Sequence, residues 1–214
     1  MLFDMDGTLV DSERVWDVAL DELAAEYGGR LSSAARVAMV GTSMAESMDI
    51  LHADLGQPWR DAAIGAERLE RRVADLFRVG LEWRAGAMAL LRDVRAAGLP
   101  TALVTSTSRR LVHVALDTLG RDSFDVVVCG DDVDRPKPDP MPYAVAATAL
   151  GVPIGWCVAI EDSPSGVASA LAAGAVVLAV PCDVAIPELH GVHVRESLAD
   201  VDVRVLAELA GRGA

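Results

Sequence analysis

The chain has 214 residues, of which 52% are hydrophobic, and its 32 acidic and 19 basic residues give a formal net charge of −13. A chain of this length buries a sizeable core in one or two domains. The surplus of negative charge makes nucleic acid and anionic membranes poor partners, because both repel it. No apolar run reaches the roughly 20 residues of a membrane span, and the start lacks a signal-peptide pattern. We therefore expect a cytoplasmic protein, monomeric by default, that binds no nucleic acid and no membrane.

The first half of the chain is expected to be helical after a short initial strand. Apolar periodicity predicts helices over 13–27, 33–40 and 43–55, and a further long helix that starts at Pro58. Ser43 and Glu46 have the spacing of a capping box, and Gly56 is placed to end that helix. No stretch between residues 12 and 84 has the pattern of a strand. This part of the chain is therefore predicted to be an all-helical insertion.

Strands and helices alternate in the second half. Helical spacing is found over 87–98, 109–119, 140–150, 164–174 and 203–209, and short apolar runs lie at 101–105, 124–129, 156–160 and 175–180. Near-continuous apolar strands that alternate with helices indicate a parallel sheet covered on both faces. The sequence therefore predicts an α/β protein. A Rossmann-like, doubly wound parallel sheet would be formed by residues 1–11 and 85–214, with an α-helical domain inserted at residues 12–84.

The three cysteines, Cys129, Cys157 and Cys182, are odd in number and far apart in sequence. Cys129 and Cys157 border apolar runs, which favours buried free thiols over a disulfide or a zinc site. Free thiols agree with a reducing compartment.

The first strand runs directly into two carboxylates. Asp4 and Asp6 lie two residues apart, which in an extended chain places both side chains on one side, and Gly7 permits a sharp turn after them. Paired carboxylates at a strand end suit a divalent metal with oxygen ligands, such as Mg²⁺, or a nucleophile beside an acid/base group. A surface turn explains this stretch alone equally well, because Asp and Gly are ordinary turn residues.

Three further strands are followed by residues that suit an anionic ligand. The second strand leads into the hydroxyl-rich residues 105–109, the third into a loop that holds Lys137 between two prolines, and the fourth into Glu161 and Asp162. A helix cap explains the hydroxyl cluster when it is taken alone. In a doubly wound sheet, however, ligands bind beyond the carboxyl ends of the strands. A nucleophilic carboxylate, a hydroxyl, a lysine and an acidic pair at that edge are the groups that phosphoryl transfer uses.

Together these motifs resemble those of the haloacid dehalogenase superfamily, in the branch with a helical cap inserted after the first strand. Asp4-x-Asp6-Gly7-Thr8 is similar to the first motif, Ser106 to the second, Lys137 to the third, and the run from Glu161 to Val167 to the fourth. The order and spacing match over essentially the whole chain, which is more specific than any single motif. The resemblance implies that Asp4 is a nucleophile forming an aspartyl-phosphate, that Asp6 is the acid/base, and that Thr8 orients the acid/base loop.

The resemblance also implies a metal and a phosphate site. Mg²⁺ would be held by Asp4, the carbonyl of Asp6 and Asp162, with Glu161 supporting them. The transferred phosphate would be bound by three residues, namely Ser106, Thr107 and Lys137, and Lys137 is expected to take part in catalysis as well.

Residues 11–16 further resemble sugar-phosphate phosphatases and β-phosphoglucomutases. Two positions depart from the mutases: Met44, after Gly41-Thr42-Ser43, stands where their cap has an arginine that grips a distal phosphate, and Trp16 stands where they have a histidine. A third departure is that only three residues precede the first motif, so that either the first strand is short or the start of the sequence is misassigned. The residues expected to touch the substrate are Trp16, Met44, Ser108 and Arg109.

The resemblance therefore implies a Mg²⁺-dependent phosphatase of a small phosphorylated metabolite, most closely a sugar phosphate. A phosphomutase of the β-phosphoglucomutase type is the alternative. A dehalogenase needs no metal site, so Asp6, Glu161 and Asp162 argue against it, and nothing supports a catalytically silent binding protein. Two linkers, near 10–12 and 84–86, are expected to let the helical insertion hinge, with Gly86 giving the second a permissive backbone.

Overall fold

The computed structural model describes residues 1–40, 42–182, 184–187 and 189–211. Within these residues the core is a six-stranded parallel sheet in the order β3-β2-β1-β4-β5-β6. Its strands are β1 (Leu2–Phe3), β2 (Ala102–Val104), β3 (Val126–Val128), β4 (Val158–Glu161), β5 (Val176–Ala179) and β6 (Val192–Val194). The predicted α/β class and parallel sheet are confirmed, and β1 has two residues. The sequence pattern did not predict β6, a largely exposed edge strand.

The order of the strands reverses at β1. The chain adds β2 and β3 on one side of β1, and then β4, β5 and β6 on the other. Leu2 pairs with Ala102 of β2 and with Ala159 of β4, so that β1 lies between the two halves of the sheet. The crevice beyond the carboxyl end of such a switch point is where doubly wound sheets bind ligands. The first residue after β1 is Asp4.

Helices cover the sheet and form the insertion. They are α1 (Glu13–Glu26), α2 (Ser33–Met39), α3 (Met44–Asp54), α4 (Ala62–Phe77), α5 (Ala87–Ala96), α6 (Arg109–Leu119), α7 (Met141–Ala149), α8 (Pro164–Ala173) and α9 (Val203–Leu209). The capping box of α3 is present, with Ser43 Oγ accepting from the N–H of Glu46. The predicted start of α4 is wrong: the helix begins at Ala62 because Asp61 accepts from the N–H of Ala63 and caps it, whereas Pro58 lies in a turn.

The helices of the insertion pack around an apolar core. Helix α1 and helix α3 both pack on α4, which also packs against α6 beside the sheet. The buried side chains of this core are Leu20, Leu23, Met48, Leu51, Leu69, Val73 and Phe77. This core is continuous with buried side chains of the α/β part, such as Leu9 and Leu111. The division into an α/β domain of residues 1–11 and 85–214 and a helical domain of residues 12–84 therefore stays a prediction.

The two linkers of the insertion lie side by side. Val10 and Trp83 form an antiparallel bridge, and the N–H of Asp11 donates to the carbonyl of Glu82 at 2.8 Å. Gly86 has φ +82°, and a Cβ added there would lie 2.3 Å from backbone atoms of residues 198 and 199. Gly86 therefore adopts a backbone conformation that favours glycine, and its Cα lies against the core. Hinging of the insertion stays a prediction.

The burial of the cysteines agrees with the sequence pattern. Cys129 and Cys157 are buried free thiols and Cys182 is partly buried. Burial raises the pKa of the Cys129 thiol to about 12, so this side chain is a packing residue.

Among the described residues, no helix combines the length and the apolarity that crossing a membrane requires.

Candidate active site

Asp4 lies at the centre of the site. Its carboxylate is buried, and Oδ1 accepts a hydrogen bond from Lys137 Nζ at 2.7 Å. The other oxygen, Oδ2, is buried without a hydrogen-bond partner among the described residues. A buried carboxylate oxygen without a donor is unfavourable, because its desolvation is not compensated. This atom is therefore positioned to bond an incoming group, either a metal or an electrophile.

The turn after Asp4 requires glycine at position 7. Gly7 has φ +76°, a conformation that a side chain disfavours, and its N–H donates to the carbonyl of Val10 at 2.9 Å. A Cβ at this position would lie 2.1 Å from Asp162 Oδ2. Since Thr8 Oγ1 also donates to Asp162 Oδ1 at 3.3 Å, the turn brings the end of β1 into direct contact with the end of β4.

Lys137 connects three strand ends. Its ammonium donates to Asp4 Oδ1 at 2.7 Å, to Glu161 Oε1 at 2.5 Å and to the carbonyl of Val104 at 2.9 Å. Burial alone would lower the pKa of Lys137, but Asp4 and Glu161 outweigh burial and raise it above the usual value. The lysine is therefore charged and held beside the nucleophile candidate.

Glu161 organises this end of the sheet. Oε1 accepts from Lys137 and from the hydroxyl of Tyr143 at 2.6 Å, while Oε2 accepts from the N–H of Asp162 and the hydroxyl of Ser163, both at 3.2 Å. A Cβ at Gly166 would lie 1.9 Å from Oε1. Both oxygens of Glu161 are therefore engaged by protein donors, which suits a supporting role beside a metal. Nothing in the sequence pattern had pointed to Tyr143.

Three carboxylates form an acidic group around Lys137. Oxygens of Asp4, Glu161 and Asp162 lie within 4.8 Å of one another. Burial raises the pKa of Asp4 to about 8, and the neighbouring Glu161 and Asp6 add to this effect while Lys137 opposes it. Burial and the charges of Asp4 and Glu161 likewise raise the pKa of Asp162 well above its usual range. One ammonium does not balance three acids, so the arrangement suits a divalent cation with oxygen ligands.

The carboxylate of Asp6 is held by residues of both domains. Oδ1 accepts from Ser12 Oγ at 2.6 Å and from the indole N–H of Trp16 at 3.2 Å. Oδ2 accepts from Thr107 Oγ1 at 2.7 Å and from Thr105 Oγ1 at 3.2 Å. Thr107, which was predicted to bind phosphate, thus uses its hydroxyl to hold Asp6, and its N–H donates to Thr105 Oγ1 at 3.0 Å. Ser12 and Thr105 were not predicted as site residues.

A cavity of about 410 Å³ opens between the helical insertion and the carboxyl edge of the sheet. Its lining includes six of the residues singled out in the sequence, namely Asp6, Trp16, Met44, Ser106, Thr107 and Ser108. The Ser108 hydroxyl is buried without a partner among the described residues. Gly41, which precedes the Met44 segment, lies outside the described residues.

Arg109 is not among the cavity-lining residues. Its Nε donates to Asp132 Oδ1 at 2.9 Å and its terminal nitrogen to the carbonyl of Val127 at 3.0 Å. The sequence placed Arg109 near the site as a substrate contact, but a loop aspartate binds the guanidinium instead. Gly130 supports this loop, since a Cβ there would lie 2.1 Å from the carbonyl oxygen of Ser106.

Comparison with known proteins gives consistent matches. A model of the haloacid dehalogenase-like hydrolases matches residues 1–174. The chain is 36% identical to hexitol phosphatase A of Escherichia coli, over 94% of this chain and 92% of that protein. It is 32% identical to a probable pseudouridine-5'-phosphatase of Drosophila melanogaster, over 93% of this chain and 89% of that protein. The solved structure of CbbY from Rhodobacter sphaeroides in complex with xylulose 1,5-bisphosphate is similar with a TM-score of 0.81 and 26% identity, over 93% of this chain and 94% of that one.

Proposed function

Because the chain belongs to the haloacid dehalogenase-like hydrolases, we propose that it is a Mg²⁺-dependent phosphatase that hydrolyses a small phosphorylated metabolite of the sugar-phosphate class. The observation that carries the proposal is the environment of Asp4. One of its oxygens is bound by a charged lysine, and the other is buried among carboxylates and has no hydrogen-bond partner within the described residues. Such an atom suits attack on phosphorus or binding of a cation.

The donor set fits Mg²⁺. Asp4, the carbonyl of Asp6 and Asp162 would hold the ion, and Glu161 would support them by fixing Lys137 and the backbone at Asp162. When bound, Mg²⁺ supplies positive charge that neutralises the phosphoryl oxygens and the surplus of carboxylates. Lys137 supplies a second positive charge on the side of Asp4 Oδ1.

The hydrolysis proceeds in two steps. Asp4 attacks phosphorus through a carboxylate oxygen while the bond from phosphorus to the substrate oxygen breaks, and Asp6 gives a proton to that leaving oxygen. Water then attacks the phosphorus of the aspartyl-phosphate, Asp6 takes a proton from the water, and the Asp4 carboxylate leaves. Ser106 would bind the phosphoryl oxygens in both steps, with Thr107 next to it. Lys137 would stabilise them through its positive charge, because its three N–H donors are bonded to Asp4, Glu161 and the carbonyl of Val104. Thr8 contributes indirectly, by linking the turn after β1 to Asp162.

The phosphomutase alternative is not favoured. A mutase must hold a bisphosphorylated intermediate, which needs a cation in the helical domain, and Met44 lies in the cavity lining where the mutases have arginine. Incubation with β-glucose 1-phosphate and a trace of glucose 1,6-bisphosphate is expected to release inorganic phosphate or to have no effect. Rapid formation of glucose 6-phosphate would favour the mutase.

The proposal is tested with Asp4→Asn and a matched control. The amide cannot attack phosphorus, so the variant is expected to fold and to lose phosphate release from acetyl phosphate and p-nitrophenyl phosphate. Asp134→Asn, which makes the same chemical change at an exposed loop position, is expected to keep the wild-type rate. Chelation of Mg²⁺ should abolish activity, and added Mg²⁺ should restore it. Turnover by Asp4→Asn near the wild-type rate would refute the proposal.

A further inference from the structure

The charge of the cavity is one-sided. Its lining contains four acidic residues and, among the described residues, one basic residue: Asp6, Glu13, Glu70 and Asp131 against Arg36. Asp6 and Asp131 lie on the α/β domain, near the proposed phosphate site. Glu13, Arg36 and Glu70 lie on the helical domain, where the remainder of a substrate would extend. The residues at this end of the cavity would therefore contact the leaving group, which is the part of the substrate that remains after the phosphate is removed.

The positive charge of Arg36 is balanced by two carboxylates of the helical domain. Its guanidinium on α2 forms ion pairs with Glu13 and Asp17 of α1, and its side chain is 18% exposed. Two carboxylates around one guanidinium leave a local surplus of negative charge, and they hold the side chain in place by directed hydrogen bonds. Arg36 is thus a structural link between two helices, and an anionic group of a ligand would have to compete with both acids for it.

Glu70 differs from Glu13 in having no such pairing. It lies on α4, half-buried, and its carboxylate has no hydrogen bond or ion pair with any residue in the part of the chain that the structure describes. An ionised carboxylate accepts hydrogen bonds and donates none. A ligand group that satisfies Glu70 must therefore be a donor, and a neutral hydroxyl is such a group, whereas a second phosphate or a carboxylate is not.

We propose that Glu70, together with the neutralised Arg36, selects a substrate whose single phosphate is attached to an uncharged polyhydroxylated carbon chain, and excludes substrates with a second anionic group. This inference rests on the proposed phosphatase function and names its substrate class. Hydroxyl groups of the leaving group would donate to the Glu70 carboxylate. A second phosphate at the same place would meet a carboxylate in a partly desolvated cavity, where repulsion between like charges is strong.

The test compares kcat/KM for glucitol 6-phosphate, fructose 1,6-bisphosphate and 2-phosphoglycolate in the presence of Mg²⁺. The wild-type protein is expected to prefer glucitol 6-phosphate by about a hundredfold or more over the two probes that carry a second anionic group. Glu70→Gln keeps the shape and removes the charge, so it should reduce this preference by about tenfold, mainly through a lower KM for the bisphosphate. The matched control is Glu67→Gln on the same helix, whose side chain is 64% exposed and outside the cavity lining. It should leave the preference unchanged.

A binding measurement separates this inference from the proposed function. Titration of the Asp4→Asn protein with glucitol 6-phosphate and with fructose 1,6-bisphosphate reports selection without turnover. If no protein variant releases phosphate from any probe, p-nitrophenyl phosphate included, but the monophosphate still binds in preference, the phosphatase proposal fails and the inference on Glu70 stands. Two outcomes would overturn the inference. In the first, phosphate is released, but the bisphosphate is bound and hydrolysed to the same extent as the monophosphate. In the second, Glu70→Gln changes the preference no more than Glu67→Gln does.

Discussion

Trp16 donates its indole N–H to Asp6 Oδ1 at 3.2 Å, the oxygen that also accepts the hydroxyl of Ser12 at 2.6 Å. A side chain of α1 in the helical domain is therefore in direct contact with the carboxylate proposed as acid and base. Because an indole nitrogen donates and does not accept, Trp16 can orient this carboxylate but cannot take its proton.

Replacing Trp16 by phenylalanine removes this donor and keeps an aromatic ring. One hydrogen bond of about 1 kcal/mol corresponds to a loss in kcat of about fivefold, provided that it acts on the transition state. Steady-state hydrolysis of p-nitrophenyl phosphate measures the effect, and Trp59→Phe is the control, because Trp59 is 77% exposed. Equal kcat values for the two variants would show that the contact does not position Asp6.

Alanine at position 7 should affect both the fold and the metal site. Gly7 and Gly56 both have positive φ, but a Cβ at Gly7 would overlap Asp162, whereas a Cβ at Gly56 would have no atom of the described residues within 4 Å. Gly56→Ala is therefore expected to lower the free energy of unfolding by about 1 kcal/mol, through backbone strain alone. Gly7→Ala should lower it by several kcal/mol more and should raise the Mg²⁺ concentration needed for activity. Urea unfolding measures the free energies, and titration with Mg²⁺ measures the metal requirement. Equal values for the two variants in both experiments would contradict the prediction.

The hydroxyl of Tyr143 should contribute to stability. This side chain is fully buried and donates to Glu161 Oε1, so Tyr143→Phe leaves a buried carboxylate with one donor fewer. We expect the free energy of unfolding to fall by about 1–3 kcal/mol. Tyr27→Phe is the matched control, since the Tyr27 hydroxyl makes no hydrogen bond in the part of the chain that the structure describes. A smaller loss for Tyr143→Phe than for the control would contradict the assignment.

Without a metal, stability should fall as pH rises. Burial and neighbouring acids raise the pKa of Asp4 from its usual 3.8 to about 8. When folding raises the pKa of an acid, the protonated acid stabilises the folded state. This stabilisation is complete at pH values below the pKa in the unfolded state and is lost as pH rises through the pKa in the folded state. Thermal unfolding in excess chelator should therefore show lower stability at about pH 9 than at about pH 6, and Mg²⁺ should remove most of the difference.

Asp4→Asn is the control for that measurement. The amide does not titrate, so the chelated variant should lose less stability between the two pH values than the wild-type protein. An equal pH dependence in both proteins would show that other groups are responsible.

The sequence predicted those parts of the molecule that depend on strand order. In a parallel sheet the carboxyl ends of all strands share one edge, so Asp4, Lys137 and Glu161 were expected to meet there, and the structure joins them through hydrogen bonds. The apolar runs predicted five of the six strands, β1 to β5. Strand β6 has three residues and is mostly exposed, so no buried pattern marks it.

The remaining site residues depend on contacts that no local pattern encodes. Tyr143 lies in an apolar helical stretch, where its hydroxyl gives no signal of a partner on β4. The contacts of Thr105 and Ser12 with Asp6 arise because two domains meet at one carboxylate. Arg109 was expected near the substrate because it follows a hydroxyl cluster, and its pairing with Asp132 depends on how closely two loops approach each other.

The pairing of the two linkers has a consequence for the modularity of the chain. Because the N–H of Asp11 bonds to the carbonyl of Glu82, the helical domain enters and leaves the α/β domain at adjacent points. The insertion therefore begins and ends at neighbouring positions, as the loop of a β-hairpin does, whatever the length of the inserted segment. A shorter or unrelated segment grafted between these two residues should leave the sheet and the acidic group intact, since the ends to be joined do not move. Such a graft would remove Ser12 and Trp16, so the new segment would have to supply donors to Asp6 in their place for the acid/base group to stay oriented.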